Sequence, residues 1–208
     1  MKVRLRQAAT SVICAALIFG SLTGAAATPS ELSWVAVAPL SGQTLSATSD
    51  GKLFRSKSTP FSLQEARPCQ GQPDPGKKLD WFATKFMGSN RTFSIQCGSA
   101  KTHGYLHVAE GKSGHQRGWR KRVIMANWAG STDAWDELMW WSAIQSWNSP
   151  EISVNQAGGK SCRTALIEMW GPNISGVQNR KYIFRPTFIW SVTNDRLITA
   201  IPSTTSTC

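Results

Sequence analysis

One α+β domain, with a tryptophan-rich helix packed on an antiparallel sheet, is the fold class that this 208-residue sequence predicts. Three observations carry the prediction. Residues 132–147 repeat apolar side chains at helical spacing. Residues 163–201 hold three runs rich in β-branched and aromatic side chains, broken by strong turn signals. The helix precedes consecutive strands instead of alternating with them, which favours a helix laid on one sheet face over a parallel βαβ arrangement.

The chain begins with Lys2, Arg4 and Arg6, continues through a mostly apolar stretch over residues 8–22, and reaches Ala25-Ala26-Ala27. A basic start, a short apolar run and small residues make the pattern of a secretory signal cut after residue 27. The run is too short to cross a bilayer, which takes roughly 20 apolar residues. Cys14 lies inside it and the residue directly after the cut is Thr28, not cysteine, which speaks against a lipoprotein anchor. The expected location is extracellular or periplasmic.

Residues 28–85 read as an N-terminal extension with weak structure, and residues 86–208 as the main domain. Residues 34–40 suggest a short strand, and Ser49-Asp50-Gly51 marks a turn before Lys52-Leu53-Phe54. Residues 67–78 are rich in proline and glycine and read as a loop. One or two helical turns are expected over 79–86 and a strand over 91–97. In the main helix, Ser131 or Thr132 is the candidate cap, while Asp133, Asp136 and Glu137 suit the positive N-terminal end. Trp135, Leu138 and Met139 form one apolar stripe, and Trp140, Trp141, Ile144 and Trp147 an adjoining one. These tryptophans read as core, with a sugar-binding platform as the alternative. The runs at 163–170, 180–190 and 196–201 are separated by Gly171-Pro172-Asn173 and Thr193-Asn194-Asp195, and the shorter connection predicts that the last two strands form a hairpin.

After removal of the signal, 20 basic and 12 acidic residues leave a net charge of +8. Such a balance attracts polyanions (nucleic acid, anionic lipid or acidic polysaccharide) without choosing among them. Four cysteines remain: Cys69, Cys97, Cys162 and Cys208. An even count in an exported chain predicts two disulfides with three possible pairings, and no C-x-x-C or H-x-x-C spacing supports a metal site.

The chemistry concentrates in one segment. Only three histidines occur, at 103, 107 and 115, within thirteen positions. His107 and His115 flank a glycine-bounded turn, and Arg117, Trp119, Arg120, Lys121 and Arg122 follow at once. Phosphodiester cleavage needs such groups: one ring to take a proton, another to return it, and cations to hold the phosphate. The cations read as phosphate contacts and Trp119 as a ring on which a base stacks. His103 is the spare histidine and reads as loop or surface. A solvated basic loop with two exposed imidazoles is the plain alternative.

His107-Val108-Ala109-Glu110-Gly111, then Ser113-Gly114-His115, a tryptophan-rich helix, and strands ending Leu197-Ile198-Thr199-Ala200-Ile201-Pro202 resemble the EndoU-type endoribonucleases, most of all the bacterial EndoU domains found as toxins. The resemblance spans roughly residues 100–203. It implies an EndoU/barnase-like catalytic domain with two histidines on one side of a cleft and a Thr-x-Tyr-Pro strand on the other. It implies His107 and His115 as the acid–base pair, Thr199 lining the site, and Gly114 lending a backbone N–H. The family also places a lysine in the site, for which Lys181 is the first candidate here and Lys160 the second. Ile201 stands where the family has tyrosine. The turn between the histidines is a few residues shorter.

The function expected on these grounds is a secreted endoribonuclease, free of cofactor and metal. It cuts single-stranded RNA through 2′-hydroxyl attack and leaves a 2′,3′-cyclic phosphate. Expected partners are RNA and, for a toxin, a cognate immunity or inhibitor protein, with the chain itself a monomer that does not insert in membranes. The alternative is a non-catalytic cationic module that binds cell-wall polymer, polysaccharide or a membrane surface.

Overall fold

The computed structural model describes residues 32–48, 53–55, 69, 74–111, 113–126 and 134–208, and its fold is α+β. The expected signal at 1–27, the turn at 49–52 and the capping residues 131–133 lie outside the described residues. A five-stranded antiparallel sheet is ordered β3-β2-β1-β8-β9, from β1 (Leu32–Ala38), β2 (Gln43–Thr48), β3 (Leu53–Arg55), β8 (Ile167–Pro172) and β9 (Gln178–Phe184). A six-stranded sheet is ordered β4-β5-β11-β10-β7-β6. Its strands are β4 (Lys78–Phe86), β5 (Ser89–Gln96), β6 (Ile152–Gln156), β7 (Lys160–Thr164), β10 (Thr187–Ser191) and β11 (Arg196–Ile201). All its neighbours are antiparallel except β5 and β11, which run parallel with the register Arg196↔Ser94.

Three helices are found among the described residues: α1 (Gly104–Glu110), α2 (His115–Ala126) and α3 (Trp135–Asn148). Helix α3 is the tryptophan-rich helix. Twelve of its 14 residues are buried, and it packs on β1 of one sheet and on β4 and β7 of the other. Seven of the twelve are apolar and spread over most of the circumference, while Asp136, Glu137, Ser142, Gln145 and Ser146 are buried among them. Trp140 and Trp147 join Phe82, Phe93 and Trp190 in an aromatic core, with the Phe93 and Trp147 rings 4.1 Å apart. Trp135, Trp140, Trp141 and Trp147 are all 5% exposed or less, which removes the sugar-platform reading.

Two expectations fail in the N-terminal half. Residues 79–86 form β4, not helical turns. Trp81, Ala83 and Lys85 face outward, while Phe82 and Phe86 pack on Phe93, so the period is two. The β4–β5 hairpin is closed by Met87 and Gly88, both at positive φ, the geometry of a tight primed turn. Nor do residues 32–86 hang apart from the rest: β1 pairs with β8, and β4 with β5, so the expected division at 85/86 falls within a hairpin strand. Trp34, Ala36, Leu45 and Ala47 belong to the same buried cluster as Trp140 and Trp190. The final connection makes the expected antiparallel hairpin, β10 with β11 and a bulge between Ile189 and Trp190, but the runs expected as single strands at 163–170 and 180–190 are each divided between the two sheets, β7 from β8 and β9 from β10.

The four cysteines pair as Cys69–Cys97 and Cys162–Cys208. The second bridge holds the last residue to β7, and the first ends on the residue just after β5. Among the described residues no helix is long and apolar enough to cross a membrane.

Trp190 is fully buried at the meeting point of Phe82, Phe93, Trp140 and Trp147. Trp190→Ala is expected to lower the unfolding free energy by about 3–5 kcal/mol in urea denaturation. A loss under about 1 kcal/mol would mean that this aromatic cluster is not the core.

Candidate active site

The site begins where β5 ends. Cys97 donates to the Lys77 carbonyl and accepts from the Leu106 N–H of α1, at 2.9 and 3.0 Å, so the disulfide-bearing residue anchors the first turn of that helix. Helix α1 lies against both β5 and β11. It presents Tyr105 and Val108 to the core and leaves His107 half-buried. The Tyr105 hydroxyl donates to Asp136 Oδ2 at 3.3 Å, tying α1 to the first turn of α3. Burial, then the neighbouring Glu137 charge, pushes the Asp136 carboxyl up to about 7.

His107 sets its ring through Nδ1, which lies 3.1 Å from the Ala100 carbonyl. A carbonyl only accepts, so Nδ1 carries hydrogen and Nε2 is the reactive edge. His115 opens α2 and is half-buried. Its ring is held below the usual imidazole range, first by burial and then by the His107 charge. His103 is lowered as well, by burial, then by Arg196, then by His107. The His107 charge is thus a cause of the lowering at both of the other histidines. His103 is not a stray surface residue. Its Nδ1 lies 2.9 Å from Thr102 Oγ1, and its Nε2 is buried with no hydrogen-bond partner among the described residues.

Thr199 lies on β11, 9% exposed, and its Oγ1 is likewise buried with no partner among the described residues. Arg196 and Thr199 share one face of β11, since they pair with Ser191 and Ile189 of β10. Ile201 ends the same strand, half-buried.

Other expected residues fall elsewhere. Trp119 is fully buried, donates from Nε1 to the Ala200 carbonyl at 3.1 Å, and packs on Phe184 and Phe188. It fastens α2 to β11 and is not available to stack on a base. Arg122 is also structural, with its guanidinium donating to the Pro202 carbonyl and lying over the Tyr182 and Phe184 rings. The Gly114 N–H is committed to the Gly111 carbonyl at 3.2 Å, so it is not free for a ligand. Arg117, Arg120 and Lys121 are exposed on the outer side of α2, with Ile124 and Met125 further along. Lys181 lies on β9, at the edge of the five-stranded sheet, and Lys160 begins β7 of the six-stranded sheet. Arg196, which the sequence marks only as the start of a strand, adds to the lowering of His103 after burial.

No family model, curated protein or solved structure matches the chain.

The lowered histidines have a consequence for stability. His103 and His115 bind protons more weakly folded than unfolded, so protons favour the unfolded chain. Their contribution is full above the unfolded value near 6.5 and is lost as pH falls below it. Between pH 7 and pH 5, the wild type is expected to lose more stability in urea titrations than the H103Q/H115Q variant. Equal slopes for the two proteins would contradict the burial of these rings.

Proposed function

We propose that this chain is an exported endoribonuclease that cleaves single-stranded RNA with a histidine pair, in a domain of the EndoU type. The observation that carries the reading is the histidine group itself. The His107 charge acts on two partly buried imidazoles, His103 and His115, and His107 lies on a helix packed against the strand that bears Thr199. Two disulfides fit an oxidising compartment outside the cytoplasm.

His115 acts as the base. It is held neutral by burial and by its neighbour, so it takes the proton from the ribose 2′-hydroxyl. The 2′-oxygen then bonds to phosphorus and the bond from phosphorus to the 5′-oxygen breaks. His107 acts as the acid: its Nδ1–H is held by the Ala100 carbonyl, and Nε2–H delivers a proton to the departing 5′-oxygen. The products are a 2′,3′-cyclic phosphate and a free 5′-hydroxyl, and no cofactor takes part in any step. Thr199 lines the site with its buried hydroxyl. Arg117 and Arg120, with Lys121, offer an exposed cationic flank to the neighbouring phosphates.

The same flank supports the second reading, a cationic binding module. Ile124 and Met125 are 48% and 42% exposed beside those cations, a mixed basic and apolar surface suited to an anionic polymer or membrane face. Turnover separates the two. The purified protein is expected to cut RNA in EDTA, and His107→Ala or His115→Ala each to slow cleavage by about 100-fold or more. Wild-type rates in either variant, or salt-sensitive binding with no cyclic phosphate product, would leave the binding module.

A further inference from the structure

The pairing register of the six-stranded sheet brings five residues into one row. Trp81 of β4 pairs with Ser94 of β5, Ser94 with Arg196 of β11, Arg196 with Ser191 of β10, and Ser191 with Lys160 of β7. Residues paired across neighbouring strands share a face. Here it is the face turned away from the core, because Phe82, Phe93, Leu197 and Trp190, each one residue along its strand, are buried in that core. Strands lie roughly 4.8 Å apart, so Trp81, Arg196 and Lys160 stand about 10 Å from one another along the row. The serines between them are covered, at 2% and 8% exposure, whereas Trp81 is 59% exposed and Lys160 is exposed. An indole left this open contributes little to the fold it sits on.

The charge on this face is one-sided. Asp80 is the only acidic residue in the six strands, and its Oδ2 accepts from Trp140 Nε1 of the core. Asp195, next to Arg196 in the chain, is held by Arg91 through both carboxylate oxygens. Arg196 makes a 3.5 Å contact to Gln96 Oε1, its Nε is buried with no hydrogen-bond partner, and no carboxylate pairs with it among the described residues. Cations held without carboxylates attract polyanions. The C-terminal segment lies over the other end of the face, where Thr187 donates to the Thr207 carbonyl and Cys162 is bridged to Cys208. Thr199, paired with Ile189, stands on the same face in the next row.

We propose that this row is a track for single-stranded RNA beside the proposed cleavage site: a base stacks on Trp81, and Arg196 and Lys160 hold backbone phosphates. An open sheet face with an aromatic ring and flanking cations suits an unpaired strand, because every base offers a π-face and every link a charge. A neutral glycan would leave both cations unused. The role of the track as part of a substrate site rests on the ribonuclease reading; its binding of a single strand does not.

A short dye-labelled RNA with 2′-O-methyl sugars cannot be cut by 2′-hydroxyl attack, so fluorescence anisotropy reads its affinity for the intact, disulfide-bonded protein. Trp81→Ala is expected to weaken binding about tenfold, and Trp81→Phe to restore most of the loss. Lys160→Gln is expected to weaken binding and to flatten the slope of log affinity against log salt by about 0.7. Arg196→Gln is expected to do the same; should that half-buried variant not fold, the two exposed positions decide. Arg180→Gln, on β9 of the other sheet, is expected to bind like wild type. Wild-type affinity and salt slope in both W81A and K160Q would overturn the track. So would a wild-type protein that ignores the RNA but binds a sulfated polysaccharide through Trp81. Cleavage of RNA with no loss of binding in these variants would leave the nuclease reading without the track. Binding lost as stated, in a protein that cuts no RNA, would remove that reading and leave the track.

Discussion

The parting of β5 from β11 is the constraint on which the rest of this structure depends. The two strands are parallel and share the register position Arg196↔Ser94, supported by the Ser94 N–H donating to the Asp195 carbonyl. Beyond it β5 runs on to Cys97 and the glycine turn, while β11 continues to Thr199 and Ile201. Helix α1 packs against both. A seven-residue helix has little stability of its own, so packing must hold it. The Cys97–Leu106 hydrogen bond, the Tyr105–Asp136 contact and the buried Val108 do so. Helix α2 is fastened to the far end of the same strand by Trp119 on the Ala200 carbonyl and Arg122 on that of Pro202. The imidazoles are therefore carried on a frame set by one strand pair.

That frame also explains the electrostatics. Half-buried imidazoles near a guanidinium resist taking protons, and each proton bound discourages the next. A site for proton transfer needs that inequality, because an acid and a base must hold different protonation states at one pH. At His103 and His115 the lowering comes first from burial and then from neighbouring positive charge, with no carboxylate among the causes.

Much of this was legible in the chain. Helix α3 announced itself by its apolar spacing, the last hairpin by Thr193-Asn194-Asp195, and the candidate site by the crowding of three histidines. What stayed hidden depended on contacts distant in sequence. Residues 79–86 hid their period of two because Trp81 and Ala83 are apolar yet face outward, while Phe82 and Phe86 reveal their face only through Phe93 and Trp147. Trp119 looked like a ligand for bases, since nothing local reveals that Ala200, Phe184 and Phe188 enclose it. The pairing of Arg91 with both oxygens of Asp195 was invisible for a similar reason, since the two lie far apart in the chain. The pairing of β1 with β8 likewise spans most of the sequence, and no local pattern reports it.

The account turns on whether an RNA phosphate settles among these imidazoles, and a non-cleavable oligonucleotide with 2′-deoxy sugars reports that most directly. Titrated into histidine-labelled protein, it should shift the ring signals of His107 and His115 and the methyl signal of Thr199 together, along one binding curve. Shifts confined to Arg117, Arg120 and Lys121 on the outer side of α2, with those ring signals unmoved, would contradict it.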